Sequence, residues 1–391
     1  MNTMRANVTS VLLWSIAVLS GTRCTSARTF AAVPVDLQVP VSPTPFHANR
    51  KTELLYELHI TSFGVKNLEL TRLLILDDHG AALPKCDYAG DELKSLIDIP
   101  GAPVGYPDNR IIGGGMRAVV FLQLTAENEM TLPHALRHRL YFKPKDPNDH
   151  ADRVVEGGRV VINPARPFVI SPPLRGDGWV ALEAPENNGS HRRTIVAVDG
   201  KAYLAQRFAI DWSRIGADGQ VFHGDPARNS NWTPYGAEVL AVADASVVDI
   251  KDDVPENDPT SDKKAVPITL ETVGGNYIIL DLGNSRYAFY AHLQPRSIRV
   301  KIGDKVSRGQ VLALLGNSGQ ADAPHLHFHV TDGNSPLGAE GVPYAFESFE
   351  QEGVIPSLKL LTNGEGYKPD PSKRETRHLE MPIKNSVVRL P

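Results

Sequence analysis

The stretch PHLHFHV, residues 324–330, sets a histidine at every second position: His325, His327 and His329. Side chains two apart in a β-strand emerge on the same face, so the spacing brings all three imidazoles to one side of a sheet. A metal site or a proton-transfer site can be laid out in that way. The loop before it, GNSGQADAP (316–324), is rich in Gly, Ser and Asn and reads as a turn-forming rim to whatever cleft the histidines face.

Outward from this strand the text is nearly all β. EVLAVADASVVDI (238–250), VPITLETV (266–273), NYIILDLGNSRYAFYAHL (276–293) and GDKVSRGQVLALLG (303–316) are strand-like runs cut by turns, with the polar segment DDVPENDPTSDKKAVP (252–267) as a surface loop. Further upstream, NPARPFVISPPLRGDGW (163–179) is proline-rich and reads as an interdomain connection. Before it, ELLYELHITSF, LELTRLLILD, RAVVFLQLTA, RHRLYF and GRVVI are short strands separated by Gly, Pro, Asn and Asp clusters, the pattern of an immunoglobulin-like antiparallel sandwich. The glycines of IIGGGMR (111–117) lead into a strand without phosphate-loop spacing and read as a turn.

A chain of 391 residues favours two domains. With 41 basic against 45 acidic residues, a net charge of −4 and no basic, aromatic-interleaved patch, a nucleic-acid partner is excluded. Arg5, the apolar run Val11–Leu19 and the small residues near Ala27 or Ala32 have the layout of a secretory signal peptide over residues 1–32. The mature protein is then exported, periplasmic or extracellular, with no membrane span once the signal is removed. Cys24 and Cys86 are the only cysteines, so no disulfide framework supports the cores.

The segment from about residue 190 to 335 resembles the β-sheet core of the LytM/lysostaphin-type zinc endopeptidases, which cut peptide cross-links of bacterial peptidoglycan. The matching pieces run in family order: RFAID (207–211), YGAEVLAVADASVV (235–248), GGNYIILDL (274–282), YAFYAHL (287–293), VKIGDKVSRGQVLALLGNSG (300–319) and APHLHFHV (323–330). The resemblance implies an all-β fold: a sandwich at 35–165, a barrel-like LytM-type sheet (the duplicated hybrid motif) at 166–350, and a C-terminal extension, 351–391, packed on the surface. It also implies that Asp211 and His327 bind zinc while His292 and His325 act on the attacking water and the oxyanion. The first family ligand, a histidine four residues before the aspartate, is replaced here by Arg207, which has no lone pair to give a metal.

Three outcomes stand open at this position. A third ligand could come from elsewhere, with His329, His223 and His191 as candidates; the site could be metal-free, with Arg207 pairing Asp211; or the register could shift locally, bringing Gln206 inward. The function implied is a zinc-dependent endopeptidase on peptidoglycan cross-link peptides if metal is bound. The alternative is an inactive family member that binds wall peptides or regulates another wall hydrolase. His47, His59, His79, His134, His138 and His150 show no ligand spacing and read as surface or loop residues.

Overall fold

The strand Lys51–Ser62 is buried on both faces, and the N-terminal half is organised around it. Its even-numbered residues Leu54, Tyr56, Leu58 and Ile60 pack against Leu70, Leu73, Ile75, Leu140 and Phe142 in the core of a β-sandwich. The computed structural model describes residues 33–127, 132–149 and 151–391; residues 1–32, expected from sequence to be a signal peptide, and His150 lie outside the described residues. One sandwich sheet runs Val35–Gln38, Lys51–Ser62, Arg117–Ala126, Ile97–Asp98, with Phe46–Ala48 also on Lys51–Ser62. The other runs Arg153–Val161, Ala135–Pro144, Leu68–Asp77, Ala82–Ala89, with Ile111–Ile112 on Leu68–Asp77.

The other face of the first sheet is covered by the C-terminal half. Leu55 belongs to the large C-terminal core, Val119 and Phe121 pack on Leu204, and Glu57 is buried among arginines discussed below. Val33–Pro391 accordingly forms one compact unit.

The C-terminal half is built on an eleven-stranded sheet. Its central neighbours, in order, are Tyr344–Val354, Ser386–Leu390, Gly176–Glu183, Ile210–Arg214, Leu326–Thr331, Tyr287–Leu293, Asn276–Asp281 and Ala245–Lys251. Strand alternation sends Ile210, Trp212, Leu326, Phe328, Val330, Ala288 and Tyr290 to one side, where they form the core with Val239, Leu312 and Ala313 of a separate two-stranded pair. The opposite side carries Asp211 and the histidines.

The expectation of a surface-packed extension over 351–391 is corrected. Ser386–Leu390 lies inside the sheet, antiparallel to both Gly176–Glu183 and Tyr344–Val354. Val387 and Val388 are both fully buried, each in a different cluster, because the sheet is covered on both sides there. A five-residue strand ending an otherwise polar tail carries too little pattern to be read as internal. Nor is the linker at 163–179 merely a connection: Phe168–Ile170 adds a parallel edge strand to Tyr344–Val354, and Trp179 is in the core.

His138, expected at the surface, is fully buried in the sandwich. Its Nδ1 donates to the Gly158 carbonyl at 3.1 Å, and its Nε2 accepts from the Tyr56 hydroxyl at 3.0 Å, so the ring is held neutral with both nitrogens used. Burial pushes its pKa down from 6.5 to about 4. The folded pKa lies below the unfolded one, so this contribution to stability is complete above pH 6.5 and is lost as pH falls towards 4. Urea unfolding at several pH values should show about 3 kcal/mol of acid-dependent destabilisation from this group by pH 4. His138→Leu should be less stable at pH 7 and should flatten the pH profile by a similar amount.

Candidate metal centre and cleft

Across the antiparallel pair Ile210–Arg214 and Leu326–Thr331, Asp211 stands directly opposite His327. Directly opposed residues share a sheet face, and here the side chains meet: His327 Nδ1 lies 2.8 Å from Asp211 Oδ1. His191 approaches from outside the sheet, on the short 3₁₀ turn His191–Arg193, and its Nε2 lies 2.8 Å from Asp211 Oδ2. Among the described residues, His191, Asp211 and His327 are the group whose ligand atoms all lie within 4.8 Å of one another.

The donor set suits a catalytic zinc centre. Two imidazole nitrogens and one carboxylate oxygen are zinc ligands, and three protein ligands leave a tetrahedral ion one open position. Burial raises the Asp211 pKa, but the charges and hydrogen bonds of His191, His325 and His327 outweigh it and hold the carboxyl well below its usual range. Burial lowers the His191 pKa, and Asp211 more than reverses this.

His292 reaches the same face by a backbone irregularity. Ala291 pairs with His327 and Phe289 with His329, so regular alternation would turn His292 with Tyr290 into the core. A register shift against Asn276–Asp281 and a left-handed φ of 64° at His292 turn its ring back to the cleft, 4.7 Å from the His325 ring and 5.9 Å from that of His327. A non-glycine residue in that region stores strain, which the surroundings must hold. His292 N donates to the Gly274 carbonyl at 2.9 Å, and Nδ1 donates to the Ser318 carbonyl at 2.8 Å. Gly319 makes the second contact possible: with φ of 73°, it carries no Cβ that would sit 2.3 Å from the Gly275 nitrogen.

His325 is set in the same tautomer, Nδ1 donating to the Ala323 carbonyl at 2.8 Å. In both rings Nε2 is left with its lone pair. Burial, aided by the neighbouring imidazoles, drives the His292 pKa well down, so this ring is neutral at pH 7. His191, His292, His327 and His329 line a cleft of about 210 Å³ whose apolar wall includes Val273, Phe289, Ala291, Pro336 and Leu337, with Gln206 and Gln320 among its polar lining.

The remaining sequence candidates separate. His329 stands behind His327, its Nδ1 2.8 Å from His327 Nε2, on the far side of the ring from Asp211. It is fully buried, and burial pushes its pKa well down. Its position suits it to orient His327 as an outer partner of a metal ligand. His223 is exposed and faces Asp218 at 3.7 Å.

Arg207 does not pair Asp211. Its guanidinium is buried against Glu57 and Glu340 at 2.9 Å each, with a further bond to the Gly341 carbonyl at 2.9 Å. A buried cation takes the partners that satisfy it most fully, and two carboxylates from other elements do so. Glu57 and Glu340 were missed from sequence: an acidic residue on an apolar strand far from any site motif, and another in the loop after the histidine strand, carry little signal until the partner arginine is known. Glu57 within ELLYELHITSF was the one available hint, a charge on a strand otherwise patterned for burial.

Residues 232–338 match the model of peptidase family M23, and the chain carries an M23 peptidase domain. His292, His325, His327 and His329 lie within that match; His191 and Asp211 lie before it. Peptidoglycan DD-endopeptidase ShyA of Vibrio cholerae is 43% identical over 65 residues, 17% of this chain and 15% of its own. Peptidoglycan DD-endopeptidase ShyB of the same organism is 38% identical over 80 residues, 20% of this chain and 18% of its own. The chain thus spans under a fifth of the length of these relatives. The catalytic domain of lysostaphin from Staphylococcus simulans aligns over 42% of this chain and 86% of its own at 20% identity, with a TM-score of 0.22.

Arg207→His should not increase zinc uptake over the parent chain, because position 207 faces the Glu57 and Glu340 carboxylates. It should instead cost about 3–5 kcal/mol in urea unfolding through broken buried ion pairs. Metal analysis of the two purified proteins side by side reads both effects, and a gain of bound zinc in the variant would contradict the assignment of His191.

Proposed function

We propose that the chain is an exported zinc-dependent endopeptidase that hydrolyses peptide bonds in the cross-links of peptidoglycan. The observation that carries this reading is the meeting of His191, Asp211 and His327 ligand atoms within 4.8 Å, beside His292 and His325, whose Nδ1 atoms are bonded to backbone carbonyls so that Nε2 keeps its lone pair. The M23 domain and the peptidoglycan DD-endopeptidases ShyA and ShyB among its relatives support the reaction and substrate class.

His191, Asp211 and His327 would hold the metal. Bound there, zinc supplies Lewis-acid polarisation and acidifies water towards neutral pH. The chain's own residues then do the proton work. Nδ1 of His292 and of His325 is committed to a backbone carbonyl, so each ring takes a proton at Nε2. Once protonated there, the same atom donates, either to the oxyanion of the tetrahedral centre or to the leaving amine. The apolar wall around Phe289, Pro336 and Leu337 excludes water from the reacting bond.

A module that holds wall peptides without cutting them drew its support from Arg207 standing at a ligand position. With Arg207 bonded to Glu57 and Glu340, and His191 beside Asp211, that support is gone.

The purified chain should contain about one zinc per molecule after reconstitution and release soluble peptide-linked fragments from sacculi. His191→Ala should lose the metal. His292→Ala should keep it while kcat drops by about 10²- to 10⁴-fold. A reconstituted chain with neither zinc nor activity on sacculi sinks the proposal.

A further inference from the structure

His191 is the one member of the metal group that no sheet strand carries, and the 3₁₀ turn holding it is only three residues long. Something else must fix its approach to Asp211. Three neighbouring side chains anchor it to the N-terminal sandwich. Arg192 is almost fully buried, pairs with Glu57, donates to the Tyr56 carbonyl at 3.0 Å, and lies over the Phe121 ring at 5.1 Å. Arg193 donates to the Ser95 carbonyl at 2.6 Å and stacks on the same ring at 4.9 Å. Ahead of the turn, Asn187 donates to the Phe121 carbonyl at 2.8 Å.

Glu57 does more than hold one turn. Its second oxygen takes Arg207, four residues before Asp211, so a single sandwich carboxylate ties the segment bearing His191 to the segment leading into the Asp211 strand. The four buried charges, Glu57 and Glu340 against Arg192 and Arg207, balance to zero. A charge-neutral cluster in which Arg207 grips Glu57 through two nitrogens fixes position as well as contributing stability.

We propose that Glu57 and Arg192 are positioning residues for the metal centre: the N-terminal sandwich, through this pair, sets the third ligand, so metal affinity depends on a domain that touches no metal. The inference rests on the zinc reading above. Residues one step outside a metal's ligands tune affinity by holding those ligands in place.

The test uses the full chain and zinc in competition with a coloured chelator. Arg192→Met leaves Glu57 paired with Arg207, and the double variant Glu57→Gln, Arg192→Met keeps the cluster neutral, so that at least one folds. Zinc affinity should fall about 10- to 100-fold in either, with a matching loss of the melting-temperature rise on adding zinc. Arg192→Lys, which keeps the charge, should recover part of the loss. Phe142→Leu, which destabilises the sandwich core from its other sheet, is the control and should leave zinc affinity unchanged.

If Arg192→Met and the double variant bind zinc like the parent, the positioning role is overturned while the zinc reading stands. An equal loss in Phe142→Leu would reduce the effect to general destabilisation and overturn it too. A parent chain that binds no zinc defeats both.

Discussion

One antiparallel register governs the functional half of the molecule. Asp211 opposite His327 and Ala291 opposite His327 align three adjacent strands so that Trp212, Phe328 and Tyr290 fall on the core face and Asp211, His327 and His329 on the other. A slip of one residue would send Asp211 or His327 into a core of Trp212, Phe328 and Tyr290, where an unpaired charge is costly. The apolar alternation that stabilises the sheet therefore also enforces the geometry of the cleft. Stability and site assembly share one constraint.

Two features depart from that regular frame, and both serve the cleft. His292 leaves strand geometry with a left-handed backbone, held by the Gly274 and Ser318 carbonyls. His191 comes from no strand at all and is held by the arginine beside it. The regular sheet supplies the common face, while the irregular pieces bring His191 and His292 beside Asp211 and His327 on it. This division follows from the limits of a strand, which can present side chains along a line but cannot surround a point.

Much of the fold was legible. Period-two alternation and turn punctuation identify the sandwich and the sheet, and the spacing of PHLHFHV shows that its histidines share a face. The resemblance to the LytM type ordered the site pieces, including Asp211, His292, His325 and His327. The place of the C-terminal strand was not legible, because its partners, Gly176–Glu183 and Tyr344–Val354, are distant in sequence or separated by a polar stretch. Nor was the burial of His138, since the face to which a strand residue points is fixed by its partner sheet.

The sequence by itself determined which residue types were on hand: a strand of alternating histidines, an aspartate between Ile210 and Trp212, an arginine where a ligand was expected, and three histidines that could stand in for it. Choosing among His329, His223 and His191 took the tertiary structure. Strand geometry carries His329 past His327, a surface loop leaves His223 with Asp218, and a turn anchored to the sandwich delivers His191 to Asp211. The same contacts explain Arg207, whose partners Glu57 and Glu340 lie 150 and 133 residues away. Periodicity reports which way a side chain faces along its own segment; it carries no information about which other segment will meet it there.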